Sequence, residues 1–315
     1  MGIMSVRIGV ALGVRGRRYW TAAAMTEERR LAAARQLDSA WVSQGTGVDA
    51  PTLLAAWEPV PGLEMGTAVV PAQTRHPLLL AQQVATITAV QGPFTLGLGL
   101  GHRALLDQQY GEGGPRRVDW LREYLAVLEA LLRGDDVDHT GVHFKVRAQL
   151  AVPPVPFPDI VLAALGPQML DLAAERTLGT VLWRTGPVAL ATHVVPLITE
   201  AADRHGRPAP RVLVGLPVIA TGRSAAEQEA ARRFVDDAEA FAWTLPTYRK
   251  AFEREGLTRP SEMALIGTAE QIREKLAVLA AAGATDLIAV LHDVGDLEQT
   301  WDVLGTLAAE HRNGG

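Results

Sequence analysis

Short apolar runs alternate with longer amphipathic stretches along nearly the whole chain. Residues 7–12 (RIGVAL), ending at Gly13, read as a buried strand, and Thr26-Glu27-Glu28 opens a helix to Gln36. Residues 39–43 form a second strand and 51–57 a short helix. Residues 63–102 then give strand, helix and strand as one βαβ unit. Its first strand closes on Gly66-Thr67-Ala68-Val69-Val70-Pro71 and its second on Gly97-Leu98-Gly99-Leu100-Gly101-His102. The helix between them begins at Pro77, a residue suited to a first helical turn.

The alternation continues. Residues 118–132 have helical periodicity, and 137–146 read as a small hairpin around Thr140-Gly141. A proline-rich loop at 153–158 leads to a fifth strand at 160–165, and Gly166-Pro167 starts a helix through Arg176. Strands at 180–183 and 211–220 flank a helix over 187–205, and an acid- and alanine-rich helical region covers 224–254. Thr268 caps a helix ended by Gly283; a strand at 285–291 and a helix at 296–310 finish the chain.

Eight Val/Ile/Leu-rich strands, each followed by a helix, describe a parallel sheet covered on its outside. An open doubly wound sheet would carry G-x-G-x-x-G after its first strand, and residues 9–18 do not supply it. The pattern predicts an α/β fold, a (β/α)8 TIM barrel, as one domain over 1–315. Insertions are expected near 103–117, 135–158 and 222–262.

Composition narrows the chemistry. Apolar residues make up 48% and charged residues 21%, which argues against disorder. The net charge of -5, without a basic block, removes the electrostatic footprint of nucleic-acid binding. With no cysteine there is no disulfide, thiolate metal site or cysteine nucleophile. No apolar run of 18 residues and no secretory pattern at 1–5 is present, so a cytoplasmic protein without membrane partners is expected.

In such a barrel the C-terminal ends of the strands build the site. Alternating Gly97, Gly99 and Gly101 either pack backbone closely or make room for a flat ring. His102 follows at the strand end, placed to move a proton near neutral pH or to bond the next loop. The small residues 66–68 allow an inward bulge, against the simpler reading of a strand ending at Pro71. Arg75 could meet an anion, though an ion pair is its commoner fate. Gly166-Pro167-Gln168 presents free N–H groups to a phosphate, or is a plain turn. Asp135, Asp136, Asp138 and His139 read as a solvated turn rather than a metal site, and no metal is expected. His292-Asp293 either faces the site or caps the last helix.

The run MGTAVVPAQTRHPLLLAQQVATI, followed by FTLGLGLGH, YG and REYL, resembles the bacterial luciferase-like superfamily. More narrowly, it is similar to the flavin-type oxidoreductases that use the deazaflavin coenzyme F420. The resemblance is densest over 39–132 and extends more weakly through LGPQMLDLAAERTLGTVLW. It implies a TIM barrel with insertions, and a non-prolyl cis peptide at Ala68–Val69 backing the cofactor's central ring. It implies that Gly99, Gly101 and His102 line the ring pocket, and that Leu165, Gly166, Pro167 and Gln168 lie near the cofactor's side chain or phosphate. Several deazaflavin enzymes end the second strand in an acid and a histidine; this chain has Gln44-Gly45. Gln44 can hydrogen-bond the ring but cannot act as a base, which leaves His102 as the catalytic candidate.

The resemblance implies an F420-dependent oxidoreductase moving a hydride between deazaflavin C5 and a small organic substrate. An FMN-dependent luciferase-like monooxygenase and a non-catalytic F420- or flavin-binding protein are its alternatives. Homodimers are common in the family, and the alanine-, arginine- and glycine-rich composition points to an actinobacterial source.

Overall fold

The computed structural model describes residues 6–17, 20–101, 103–111 and 118–314. Eight parallel strands carry the fold: β1 (Arg7–Arg15), β2 (Ser39–Val42), β3 (Glu64–Thr67), β4 (Thr95–Gly99), β5 (Asp159–Leu162), β6 (Gly179–Trp183), β7 (Arg211–Ala220) and β8 (Asp286–His292). Each pairs with the next, and β1 pairs with both β2 (Gly9 opposite Ser39) and β8 (Val10 opposite Ala289), so the sheet closes on itself. The predicted (β/α)8 barrel is the observed fold.

Local chemistry moved several boundaries. The first helix is Ala22–Ala34, starting ahead of the acidic pair, because the Thr21 hydroxyl accepts the Ala24 N–H at 3.1 Å. The region 224–254 is two helices, Ala225–Thr244 and Pro246–Glu255, since Pro246 holds Leu245 in an extended conformation. The helix after β6 contains a π-helical stretch, Leu190–Val194, just before Pro196, which has no N–H to donate to the preceding turn. The segment after β4 forms a helix, Arg103–Tyr110. A three-residue strand, Leu265–Gly267, extends the sheet beside the end of β7; three residues are too few for a periodic signal. The expected hairpin is Val137–Thr140 paired antiparallel with Lys145–Ala148.

The core has two layers. Trp41, Val161, Val181, Leu213 and Ile288 fill the barrel interior, while the outward strand faces pack on the surrounding helices. Trp41 is fully buried and donates its indole N–H to Ser39 Oγ at 2.8 Å. It takes the space beside Gly66, where a Cβ would come within 2.3 Å of the indole.

At the N-terminal end of the barrel a charge cluster closes the floor. Arg7 reaches Glu64 at 2.7 Å and Asp286 at 3.3 Å, and Arg211 reaches the same two acids at 3.0 and 2.6 Å. Burial alone would lower the Arg211 pKa, but Asp286 and Glu64 outweigh it and raise it. This cluster sits opposite the C-terminal strand ends, where sites in such barrels are generally built. Among the described residues no helix is long and apolar enough to cross a membrane.

Candidate active site

At the opposite rim lies a cavity of about 410 Å³. Its walls are Ser43 and Gln44 after β2, Ala68 and Val69 after β3, and Leu100 and Gly101 after β4. Ala163 to Gly166 after β5 and Trp183 and Arg184 at β6 also line it, with Arg15 from β1, Leu106 and Gln109 from the helix after β4, and Tyr248 from the helix Pro246–Glu255. Most of this lining is apolar, with a few polar groups at the edges, the usual build of a site for a flat heteroaromatic ligand.

The wall at Ala68–Val69 is built by the chain's own hydrogen bonds. Strand β3 stops at Thr67, the Ala68–Val69 peptide is cis, and pairing with β4 resumes at Val70–Pro71. The Ser43 hydroxyl donates to the Ala68 carbonyl at 2.9 Å, and the Ala68 N–H donates to the Val42 carbonyl at 3.0 Å. Thr67 Oγ1 both donates to the Gly97 carbonyl and accepts its N–H, each at 2.9 Å.

The alternating glycines seat this bulge. A Cβ on Gly97 would lie 1.9 Å from the Thr67 carbonyl oxygen. On Gly99 it would meet Ala163 at 2.9 Å and Val69 at 3.1 Å. Of the two readings open in the sequence, close backbone packing describes Gly97 and Gly99. Gly101, at φ +47, is the one glycine of the three on the cavity wall.

The other sequence candidates divide. Gln44, Ala68, Val69, Gly101, Leu165 and Gly166 line the cavity, and Gly99 lies behind the bulge. Gln44 spends its amide within the chain: Oε1 accepts the Ala50 N–H at 2.8 Å and Nε2 donates to the Gly45 carbonyl at 3.3 Å. Pro167 and Gln168 line a neighbouring surface groove with Arg122 and Arg204. Gly166 is the N-cap of the helix Pro167–Arg176, so one turn of chain touches both spaces. The Leu165 carbonyl accepts from His193 Nε2 at 3.0 Å, which fixes that turn. His102 lies outside the described residues.

Residues set aside in the sequence keep structural roles. Arg75 pairs with Asp49 and donates to Gln83 at 3.1 Å. His139 meets Glu123 at 3.0 Å, and Asp135 pairs with Arg133 at 3.2 Å. His292 does not cap the last helix; the Asp296 carboxylate accepts the Gln299 N–H there. It is buried at the end of β8, edge-on to Phe234 at 5.8 Å, with neither ring nitrogen hydrogen-bonded. Burial pushes its pKa down to about 4, so the ring is neutral at pH 7. Asp171, Glu175 and His205 lie close enough to hold a metal, but Arg204 and Arg122 already pair with the two acids.

The sequence reading missed a charged cluster over the cavity. Arg184 occupies the left-handed region at φ 55, anchored by its N–H to the Gly215 carbonyl at 3.1 Å. Its guanidinium donates to Glu239 and stacks over the Tyr248 ring, 5.0 Å from the centroid. Arg15 Nε lies 3.6 Å from the other Glu239 oxygen. Burial pushes the Arg15 pKa down, and Glu239 opposes that shift. Burial also raises the Tyr248 phenol, keeping it protonated. A signal existed for Arg15 and Arg184, which end β1 and follow β6 at the rim. None existed for Glu239 and Tyr248, carried by helices far along the chain.

A putative coenzyme F420-dependent oxidoreductase of Mycobacterium tuberculosis is 27% identical over 189 residues, covering 54% of this chain and 53% of the relative. An F420-dependent secondary alcohol dehydrogenase, solved with an F420–acetone adduct, superposes with a TM-score of 0.79 at 17% identity, covering 96% of this chain and 98% of that one. The oxygenating constituent of 3,6-diketocamphane monooxygenase from Pseudomonas putida, solved with FMN, superposes with a TM-score of 0.76 at 17% identity, covering 98% of both chains. At these identities the two structures establish a shared fold. Residues 6–286, from β1 to the start of β8, match the luciferase-like monooxygenase family, and the chain belongs to that family.

Proposed function

We propose that this chain is an oxidoreductase that holds coenzyme F420 in the rim cavity and exchanges a hydride with a small organic substrate. One observation carries the reading: a hydrogen-bonded bulge, Ala68–Val69, forms one wall of an otherwise largely apolar cavity at the catalytic end of the barrel. The fit is chemical as well as steric. Val69, Ala163, Val181 and Trp183 offer apolar faces to a flat ring, while Ser43 and Gln44 mark a polar edge. The bound deazaflavin would supply the hydride-accepting carbon.

The protein's part is positioning. Ser43 and Thr67 hold the bulge, which fixes where a ring can rest. Leu165 and Gly166 would hold the cofactor's side chain, next to the groove at Pro167 and Gln168. Tyr248 and Trp183, on the cavity wall, would help to exclude water from a bound ring. His102, following β4, is the proton-transfer residue of this reading.

The F420-linked relative and the F420-bound neighbour favour the deazaflavin. The FMN-bound neighbour supports a second reading, an FMN-dependent monooxygenase in the same cavity. Anaerobic incubation with F420 and a panel of small alcohols and aldehydes tests the first. Loss of the coenzyme's visible absorbance with a substrate supports it. Substrate-dependent oxygen consumption with reduced FMN, and none of that loss with F420, transfers the assignment to the monooxygenase. Tight F420 binding without turnover on any substrate makes the chain a carrier.

A further inference from the structure

The charged groups around the cavity do not cancel. Among the described residues, Arg15 and Arg184 are the only charged side chains on its wall. One carboxylate, Glu239, stands between them and faces both. Arg184 uses it fully, donating to it while stacking on Tyr248. Arg15 does not: it approaches Glu239 at 3.6 Å without a hydrogen bond, and its buried Nε has no hydrogen-bond partner. The Trp20 ring lies 5.7 Å from the guanidinium carbon, and Arg184, Tyr248 and His292 are within electrostatic reach. The neighbouring groups do not neutralise it. His292 is uncharged near neutral pH and Tyr248 stays protonated. Arg17 and Glu28 form a separate pair at 3.5 Å.

The Arg15 side chain is 28% exposed, and its buried Nε is a donor that an anion would complete. Arg15 also faces a second space of about 800 Å³, lined by Trp20, Ser43, Val48 and Phe234, that adjoins the cavity. A ligand seated across this junction would bring an anionic group to Arg15 and an apolar body to these residues. Asp237, on the same groove, limits where that anionic group can sit and favours the cavity side.

We propose that Arg15, with the ion-paired Arg184 beside it, forms an anion subsite for the substrate, so that the substrate is an organic anion, a carboxylate, sulfonate or phosphate ester with an apolar body. This rests on the reading of the rim cavity as the place where cofactor and substrate meet. The Gly166 turn, a helix start without a side-chain cap, is a separate place for a cofactor phosphate.

The test is calorimetric titration of the protein, with and without F420, using hexanoate, hexanesulfonate and hexyl phosphate against neutral hexanamide. The best anion should bind at least tenfold tighter than the amide, in line with a hydrogen bond to a charged group. Arg15→Gln should abolish most of that preference and Arg15→Lys restore part of it, with thermal melting checking that each variant is folded. Equal binding of anion and amide, or a preference unchanged in folded Arg15→Gln, overturns the proposal. So does a variant that loses F420 affinity while keeping the anion preference, since the cation would then serve the cofactor. The titration without F420 keeps the two readings apart. Anion preference there, with no binding of F420, refutes the cofactor assignment and leaves the subsite standing.

Discussion

Gly97→Ala is the sharpest structural perturbation of the site. An added Cβ would fall 1.9 Å from the Thr67 carbonyl oxygen and 2.9 Å from its carbon. Both are main-chain atoms, so no flexible side chain can yield; the bulge and β4 must part. Overpacking of this kind costs about 1–3 kcal/mol. Parting also weakens the two Thr67–Gly97 hydrogen bonds, each contributing about 0.5–1.5 kcal/mol. The total is about 2–6 kcal/mol. Unfolding entropy scales with chain length, so about 1.5 °C of Tm accompanies each kcal/mol in a chain of 315 residues. Differential scanning calorimetry should show a drop of about 3–9 °C, with weakened cofactor binding in the folded variant. Gly47→Ala, with nothing within 4 Å of its Cβ, is the control and should change stability by less than about 0.5 kcal/mol. An unchanged melting temperature and cofactor affinity in Gly97→Ala would refute the view that this glycine seats the bulge.

The remaining predictions probe other parts of the molecule. Arg211→Ala leaves Asp286 and Glu64 sharing Arg7 at the barrel floor; it should cost about 3–5 kcal/mol in urea unfolding and leave cofactor affinity intact. Affinity that fell in step with stability would contradict the separation of floor and rim. Because burial holds His292 down at about 4, against about 6.5 when unfolded, the unfolded chain takes up the proton first on acidification. Its contribution, up to about 3 kcal/mol, is present above pH 6.5 and lost as the pH falls toward 4. His292→Leu should flatten that slope in a pH series of melts, and an identical slope would exclude this histidine as its source. His193→Leu removes the bond to the Leu165 carbonyl and should cost about 1 kcal/mol while weakening cofactor binding; unaltered binding would show that the Gly166 turn holds itself. His102→Ala should slow turnover more than it weakens cofactor binding, and unchanged turnover would remove His102 from the reaction.

The barrel was legible because its strands are apolar on both faces and separated by helix-length amphipathic stretches. Residues 211–220 could be read to the residue for that reason. Caps and prolines were less transparent. Thr21 outcompeted the acidic pair as a helix start, and Pro246 divided a region whose composition looks continuous. The bulge followed from family likeness, since Gly-Thr-Ala-Val-Val-Pro alone reads equally well as a strand end. The glycines of β4 were visible, but their partner, the Thr67 carbonyl, is a tertiary contact. The cluster over the cavity was hidden for the same reason. Arg184 and Glu239 are 55 residues apart, and only closure of the barrel brings the helix Ala225–Thr244 over β6.

The central claim is that the cavity walled by Ala68 and Val69 holds a deazaflavin. Equilibrium titration of the purified protein with F420, FMN and FAD under one set of conditions tests it most directly. The proposed F420 reading predicts saturable one-to-one binding of F420, tighter than that of FMN or FAD and weakened by Gly97→Ala. Tighter binding of FMN, or F420 binding indifferent to that substitution, would contradict it.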